Sequence, residues 1–167
     1  MRLLIANFDA QEIVTREQVV EAVLRLPAPH IQGIQVVRYD PRREIATTRS
    51  YLEERPTVVS SHGLFFHDRE TAVIVLFHFD SIAGFLHVLY HEVGHYVFLR
   101  VLTQEQRDDW MYRVRRGESA GVTAYARRNA REDFAETYAF HYTGRLAGAG
   151  FPLRAAFFSQ SVFRDGP

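Results

Sequence analysis

The chain has 167 residues, of which 20 are acidic, 20 are arginine and none is lysine, so its formal net charge is zero at pH 7. A hydrophobic content of 47% excludes a disordered chain and, with this length, predicts a single domain over residues 1–167. The neutral charge argues against a nucleic-acid or membrane-surface partner, and the lack of cysteine excludes disulfides and thiolate metal sites.

The amino-terminal part predicts one helix and one strand. Its first residues form an apolar patch that Asn7 and Asp9 interrupt, which is not the pattern of a signal peptide. Residues 11–26 have the spacing of an amphipathic helix, and Ile34–Tyr39 has the composition of a short strand. We therefore expect a cytoplasmic protein by default, although export by a route without a cleaved signal stays open.

The middle of the chain predicts two strands that lead into a long helix. Residues 57–66 and 71–79 are apolar and rich in β-branched and aromatic side chains. Asp80 and Ser81 then form a good helix start, and residues 81–102 predict one apolar helix. Histidines and a glutamate break this stretch, so it does not predict a transmembrane span.

The last third predicts mainly helices. Residues 103–116 are expected to be helical, 117–121 to form a loop, and 129–146 to form a helix that begins near Asn129. A glycine-rich break over 144–150 precedes a last short helix.

The long apolar helix contains the pattern HExxH, formed by His91, Glu92 and His95. Residues four apart stand above one another on a helix, so the two imidazoles face the same point. Imidazole suits Zn²⁺, and a carboxylate one position after the first histidine can act as a general base without being a ligand. The alternatives are two structural histidines with a surface glutamate, or a pair of His87 and His91, which lacks the glutamate in the right place.

A catalytic zinc needs a third ligand, and the helix over 129–146 offers one. Glu132 and Glu136 are four residues apart on one face of that helix. Asp133 is the alternative ligand at this position, although its place in the pattern favours a charge on the helix surface. His141 lies off this face and is expected to have no role at the metal.

The second helix and the residues before it extend the pattern. Tyr125, Glu132 and Glu136, in the context Tyr-x-Arg-x-Asn-x-x-Glu-x-Phe-Ala-Glu, accompany HExxH. Together the two motifs, within residues 79–142, resemble compact zinc peptidases of the gluzincin group, the family of the anthrax lethal factor catalytic domain and the Pro-Pro endopeptidases.

The resemblance implies a complete peptidase site. One zinc ion per chain would be bound by His91, His95 and Glu132. Glu92 would be the general base and then the general acid.

Two further residues receive roles by the same resemblance. Glu136 would lie behind a ligating imidazole and fix its orientation, and Tyr125 would donate a hydrogen bond to the developing oxyanion.

The resemblance also implies an α+β fold, in which a small twisted mixed sheet packs on the HExxH helix and on the second, glutamate-bearing helix. In such folds an exposed edge strand holds the substrate in an extended form. The candidate segment is residues 60–66, with Gly63, Leu64 and Phe65 as the contacting residues.

The function predicted on this basis is a zinc-dependent endopeptidase acting on a peptide or protein substrate whose sequence preference is not encoded in the motifs. Two alternatives remain: a catalytically silent, zinc-stabilised binding or regulatory module, and a peptidase or effector dedicated to one protein partner. A monomer is compatible with the sequence. The absence of lysine fits either a genome bias or an effector delivered into another cell.

Overall fold

The structure is a computed structural model that describes residues 3–44, 57–59, 62–67 and 72–162. It has an α+β fold with one small mixed sheet and a majority of helices, which confirms the predicted fold class. The chain divides into two compact units, 1–93 and 94–167. The expectation of a single domain stays a prediction.

The first unit contains a five-stranded sheet with the order β1-β2-β5-β4-β3. Its strands β1 and β5 both pair in parallel with β2, whereas β4 pairs antiparallel with β5 and with β3. The strands are β1 (Leu4–Ala6), β2 (Ile34–Tyr39), β3 (Thr57–Val59), β4 (Gly63–His67) and β5 (Ala72–Leu76).

The sheet corrects two expectations. Residues 57–66 do not form one strand, because β3 and β4 pair with each other in the register Val59 to Leu64. The proposed substrate segment with Gly63, Leu64 and Phe65 is therefore not at an edge of the sheet: β4 lies between β3 and β5. Leu64 and Phe65 have paired residues on both sides and are fully buried, so they pack in the core.

Three α-helices begin in the first unit: α1 (Arg16–Leu24), α2 (Ala28–Ile31) and α3 (Ile82–Tyr96). Thr15 and Gln18 cap the start of α1 reciprocally, which explains why it begins later than the predicted residue 11. The phenol of Tyr90 on α3 donates to the carbonyl of Ala22 at 3.2 Å, so the HExxH helix is tied to α1.

The second unit is helical. Its elements are a π-helical turn (Val97–Val101), α4 (Gln104–Asp109), a second π-helical turn (Trp110–Val114), α5 (Arg115–Gly117), a 3-10 turn (Ala126–Arg128), α6 (Ala130–Tyr142), α7 (Pro152–Phe157) and a third π-helical turn (Phe158–Val162). Its core is aromatic. The ring centroid of Trp110 lies 5.1 Å from that of Phe134 and 5.1 Å from that of Phe157.

Two predicted helices end earlier than expected. The α-helical part of 81–102 stops at Tyr96, where the wider π-helical turn takes over. Helix α6 stops at Tyr142 because Gly144 adopts a φ of 73°, a conformation that ends a helix at little cost for glycine. In the part of the chain that the structure describes, no helix has the length and apolar character needed to cross a bilayer.

Candidate metal centre

The HExxH pattern lies in the last turns of α3. The Ser81 hydroxyl accepts a hydrogen bond from the Gly84 amide at 3.0 Å, so the helix starts where the sequence indicates. His91, Glu92 and His95 all lie in the α-helical part and are buried, with exposed fractions of 5%, 0% and 0%. Buried polar side chains of this kind need partners, which sets them apart from surface residues.

Glu132 is placed by the start of α6. The side-chain oxygen of Asn129 accepts hydrogen bonds from the amides of Arg131 and Glu132, both at 3.0 Å, and so caps the helix. This start puts the Glu132 carboxylate Oε2 at 3.4 Å from the His95 Nε2. The two groups predicted as ligands on separate helices are therefore neighbours.

Gly94 explains how α3 and α6 come so close at this point. A Cβ atom on Gly94 would lie 2.8 Å from the Ala135 Cα and 3.1 Å from the Tyr138 Cβ, a spacing that backbone atoms cannot relieve locally. The residue before His95 is thus a glycine, and this close contact between the helices requires a residue without a side chain.

The donor atoms of His91, His95 and Glu132 all lie within 4.8 Å of one another, and all three residues are buried. Two imidazoles and a carboxylate are a donor set that zinc binds. With metal–ligand distances near 2.1 Å, neighbouring ligands of a tetrahedral zinc are about 3.4 Å apart, which matches the measured separation of the His95 and Glu132 atoms. Among the described residues this is the one such group, and it fits a zinc ion.

Glu92 lies against the start of β4. A Cβ atom on Gly63 would be 2.8 Å from both the Cγ and the Cδ of Glu92. Gly63 therefore leaves the space that the buried Glu92 side chain fills. The role of Gly63 in substrate binding stays untested, whereas its contact with the predicted general base is a feature that the sequence did not indicate.

Asp133 is excluded as the alternative ligand by its own partner. Arg154 donates to both of its carboxylate oxygens, at 2.8 and 2.9 Å, and both residues are almost completely buried. Burial raises the pKa of the Asp133 carboxyl, and the Arg154 guanidinium opposes that rise. The expectation that Asp133 is a surface charge is wrong, because Arg154, 21 residues later, folds back onto it.

The roles predicted for Glu136 and Tyr125 stay predictions. Glu136 is buried, and its Oε2 accepts a hydrogen bond from the Thr123 hydroxyl at 2.8 Å. Tyr125 is half-buried, and the Arg128 guanidinium lies 4.6 Å from the centre of its ring. Thr123 and Tyr125 belong to the same loop, so the hydrogen bond of Thr123 attaches the loop of Tyr125 to Glu136.

The remaining histidines next to the motifs have other surroundings. His87 is half-buried, its ring centroid lies 6.4 Å from that of His91, and it is outside the group of donors that can share a metal. His141 stacks on Phe158 at 5.3 Å, and burial lowers the pKa of its imidazole.

Sequence reasoning missed Thr123 and Arg154. A charged residue in the apolar segment around Phe151 and Phe157 was a usable signal for a buried Arg154. Thr123 gave no such signal, because a threonine in a loop is common.

Comparison with known proteins does not assign a family. No protein-family model matches the chain, and no curated protein matches it. Among solved structures, the chain is similar to that of a candidate zinc-binding metallo-peptidase from Bacteroides caccae, with a TM-score of 0.40 and 10% identity over 95% of this chain and 76% of the other. A likeness at this level carries no argument about function.

Proposed function

We propose that the chain is a zinc-dependent endopeptidase whose metal ligands are His91, His95 and Glu132. The observation that carries this proposal is the buried group of three donors, two of them on the helix that also bears Glu92. A purely structural zinc site is usually closed by four protein ligands, whereas three leave a position for a reactant. Within the described residues the group has three members, which favours a catalytic site.

Glu92 is the residue for proton transfer. Zinc bound to the three ligands would supply a Lewis acid that activates water near neutral pH. Glu92 would accept the proton of the attacking water and pass it to the departing amine. Its side chain is fully buried and lies against Gly63, which supports this proposal because both limit the movement of the carboxylate.

Tyr125 would stabilise the negative charge that develops on the scissile carbonyl oxygen. A phenol held in place can donate a hydrogen bond to that oxygen, an effect worth about 3 kcal/mol of barrier for a single donor. In this chain the contacts of Thr123 and Arg128 restrict the loop and the ring.

The test combines metal content with cleavage. Zinc is measured by elemental analysis on the wild type, Glu132→Ala, Glu92→Gln and the exposed-site control Glu105→Gln, and each protein is incubated with a diverse peptide library. We expect one zinc per chain in the wild type, less in Glu132→Ala, and unchanged zinc without cleavage in Glu92→Gln. The control should match the wild type.

Other outcomes separate the alternatives. Zinc without cleavage of any peptide would favour a zinc-stabilised binding module or a peptidase dedicated to one protein. Absence of zinc from the wild type, or cleavage that survives in Glu92→Gln, would refute the proposal.

A further inference from the structure

A hydroxyl group in the loop 121–128, which carries Tyr125, fastens this loop to α6. The Thr123 Oγ1 donates to the Glu136 Oε2 at 2.8 Å and accepts from the Ala126 amide at 3.0 Å. The first bond joins the loop to α6, and the second closes a turn from Thr123 to Ala126 that encloses Tyr125. Tyr125 lies inside this turn, so the hydrogen bond that closes the turn restricts the backbone of Tyr125.

Other contacts hold the rest of this loop. Ala126 is fully buried, and the guanidinium of Arg115 donates to the carbonyl of Arg127 at 3.2 Å. Gly121 enters the loop with a φ of 66°, a conformation that glycine adopts readily. These contacts restrict the loop, and the Thr123 hydroxyl attaches it to the glutamate-bearing helix.

Helix α6 links this attachment to the candidate metal centre. Glu136 follows Glu132 by four residues, so both carboxylates lie on one face of the same helix. Asn129 fixes the start of that helix and with it the position of Glu132. The loop with Tyr125 is therefore positioned relative to the helix that supplies the third metal ligand.

We propose that Thr123 is a positioning residue that holds the Tyr125 loop in register with the metal-binding face of α6. This inference rests on the proposed function for its catalytic consequence. The fastening itself is a property of the folded chain with or without metal. Loss of the hydroxyl would release the turn and move the phenol, and a displacement of about 1 Å can lower a rate by about 100-fold.

The fastening is tested by amide hydrogen exchange. Thr123→Val removes the hydroxyl and keeps the shape, and Thr123→Ser keeps the hydroxyl. Thr143→Val is the control: it removes a threonine hydroxyl at the end of α6 that donates to main-chain carbonyls and accepts from the Arg145 guanidinium. In metal-free protein, exchange across 121–128 should rise at least about 10-fold in Thr123→Val and stay near wild type in the other two. Unchanged exchange in Thr123→Val would overturn the proposal.

The catalytic consequence is tested by a double-mutant cycle with Tyr125→Phe. We expect Thr123→Val to lower kcat roughly 10-fold with KM and zinc content unchanged, and to have no further effect when Tyr125→Phe is already present. An equal loss in both backgrounds, or a loss explained by zinc content, would refute positioning through Tyr125. If the wild type cleaves no peptide of the library, the alternatives to the proposed function are favoured, and the exchange result still decides whether Thr123 fastens the loop.

Discussion

Gly63 shows how one residue without a side chain fixes the position of a reactive group. The space that its Cβ would occupy is filled by the Cγ and Cδ of Glu92. Glu92 is fully buried, so a displaced carboxylate has no solvent to move into and must rotate against its neighbours. Gly63 itself is held in β4 by its pairing with Leu76. A methyl group at position 63 would therefore displace either the backbone of β4 or the side chain of Glu92.

We predict that Gly63→Ala lowers kcat by roughly 100-fold while zinc content stays at one per chain, because the proposed general base, Glu92, would move and the proposed ligands would not. Steady-state kinetics and elemental analysis check this. Gly84→Ala is the matched control, since its Cβ would meet only the side chains of Asp80 and Ser81, which are exposed, and the Phe79 Cβ at 3.9 Å. A wild-type kcat in Gly63→Ala would contradict this prediction, because it would show that a methyl group at position 63 does not move the Glu92 carboxylate.

At the scale of elements, Arg154 connects α7 to α6 and to the end of α5. Its guanidinium donates to both oxygens of Asp133, and it also donates to the Glu118 carbonyl at 2.8 Å and to a Glu118 carboxylate oxygen at 3.0 Å. The Glu118 carboxylate in turn accepts the amide of Leu153 at 2.6 Å. Three helical segments thus share one buried ionic group beside Glu132.

We predict that Arg154→Met destabilises the protein by about 3–5 kcal/mol, because it removes both hydrogen bonds to the buried Asp133 carboxylate and leaves it only the half-exposed Arg115 guanidinium at 4.0 Å. The double variant Asp133→Leu with Arg154→Met should recover most of this loss, since a buried ion pair replaced by apolar groups is often neutral. Urea unfolding at neutral pH measures both. Equal instability of the single and double variants would mean that Arg154 acts through Glu118 alone.

The stacking of His141 on Phe158 predicts a dependence of stability on pH. Burial lowers the pKa of His141, so the folded state favours the neutral imidazole and the unfolded state binds the proton more readily. The stabilisation is therefore complete above the ordinary histidine pKa of 6.5 and is lost as the pH falls through the lower pKa of the folded state.

Unfolding by urea at pH 8 and pH 5 in the presence of a chelator measures this effect. The difference in the free energy of unfolding between the two pH values should be smaller in His141→Phe than in the wild type. The other seven histidines are common to both proteins, so the comparison isolates His141. An unchanged difference would contradict a role for His141 in the acid sensitivity.

Local patterns explain which elements could be predicted. The cap by Asn129 and the spacing of His91 and His95 are properties of short segments, so helices α3 and α6 were expected from sequence. Strand β1 has three residues, too few for a period to be recognised. The Thr123–Glu136 and Asp133–Arg154 contacts join positions 13 and 21 residues apart, and only the tertiary fold brings them together.

At the scale of the whole molecule, Glu132 lies 37 residues after His95 in the chain, and an unfolded chain does not hold it beside the two histidines. Zinc should therefore bind the native state preferentially and stabilise it, by about 4 kcal/mol when free zinc is 1,000 times its dissociation constant. For a chain of this length, that corresponds to a rise in Tm of roughly 8–16 °C.

Thermal unfolding with added zinc and with a chelator tests this coupling. We expect His95→Ala to lose most of the zinc-dependent rise in Tm, because it removes the imidazole next to Glu132. Glu92→Gln should keep the rise, since Glu92 is outside the group of donors that can share a metal and its proposed role is proton transfer. If both variants lost the rise equally, Glu92 would be needed for metal binding and could not be assigned to proton transfer alone. If neither lost it, zinc would bind elsewhere, and the group of His91, His95 and Glu132 would not be the metal centre.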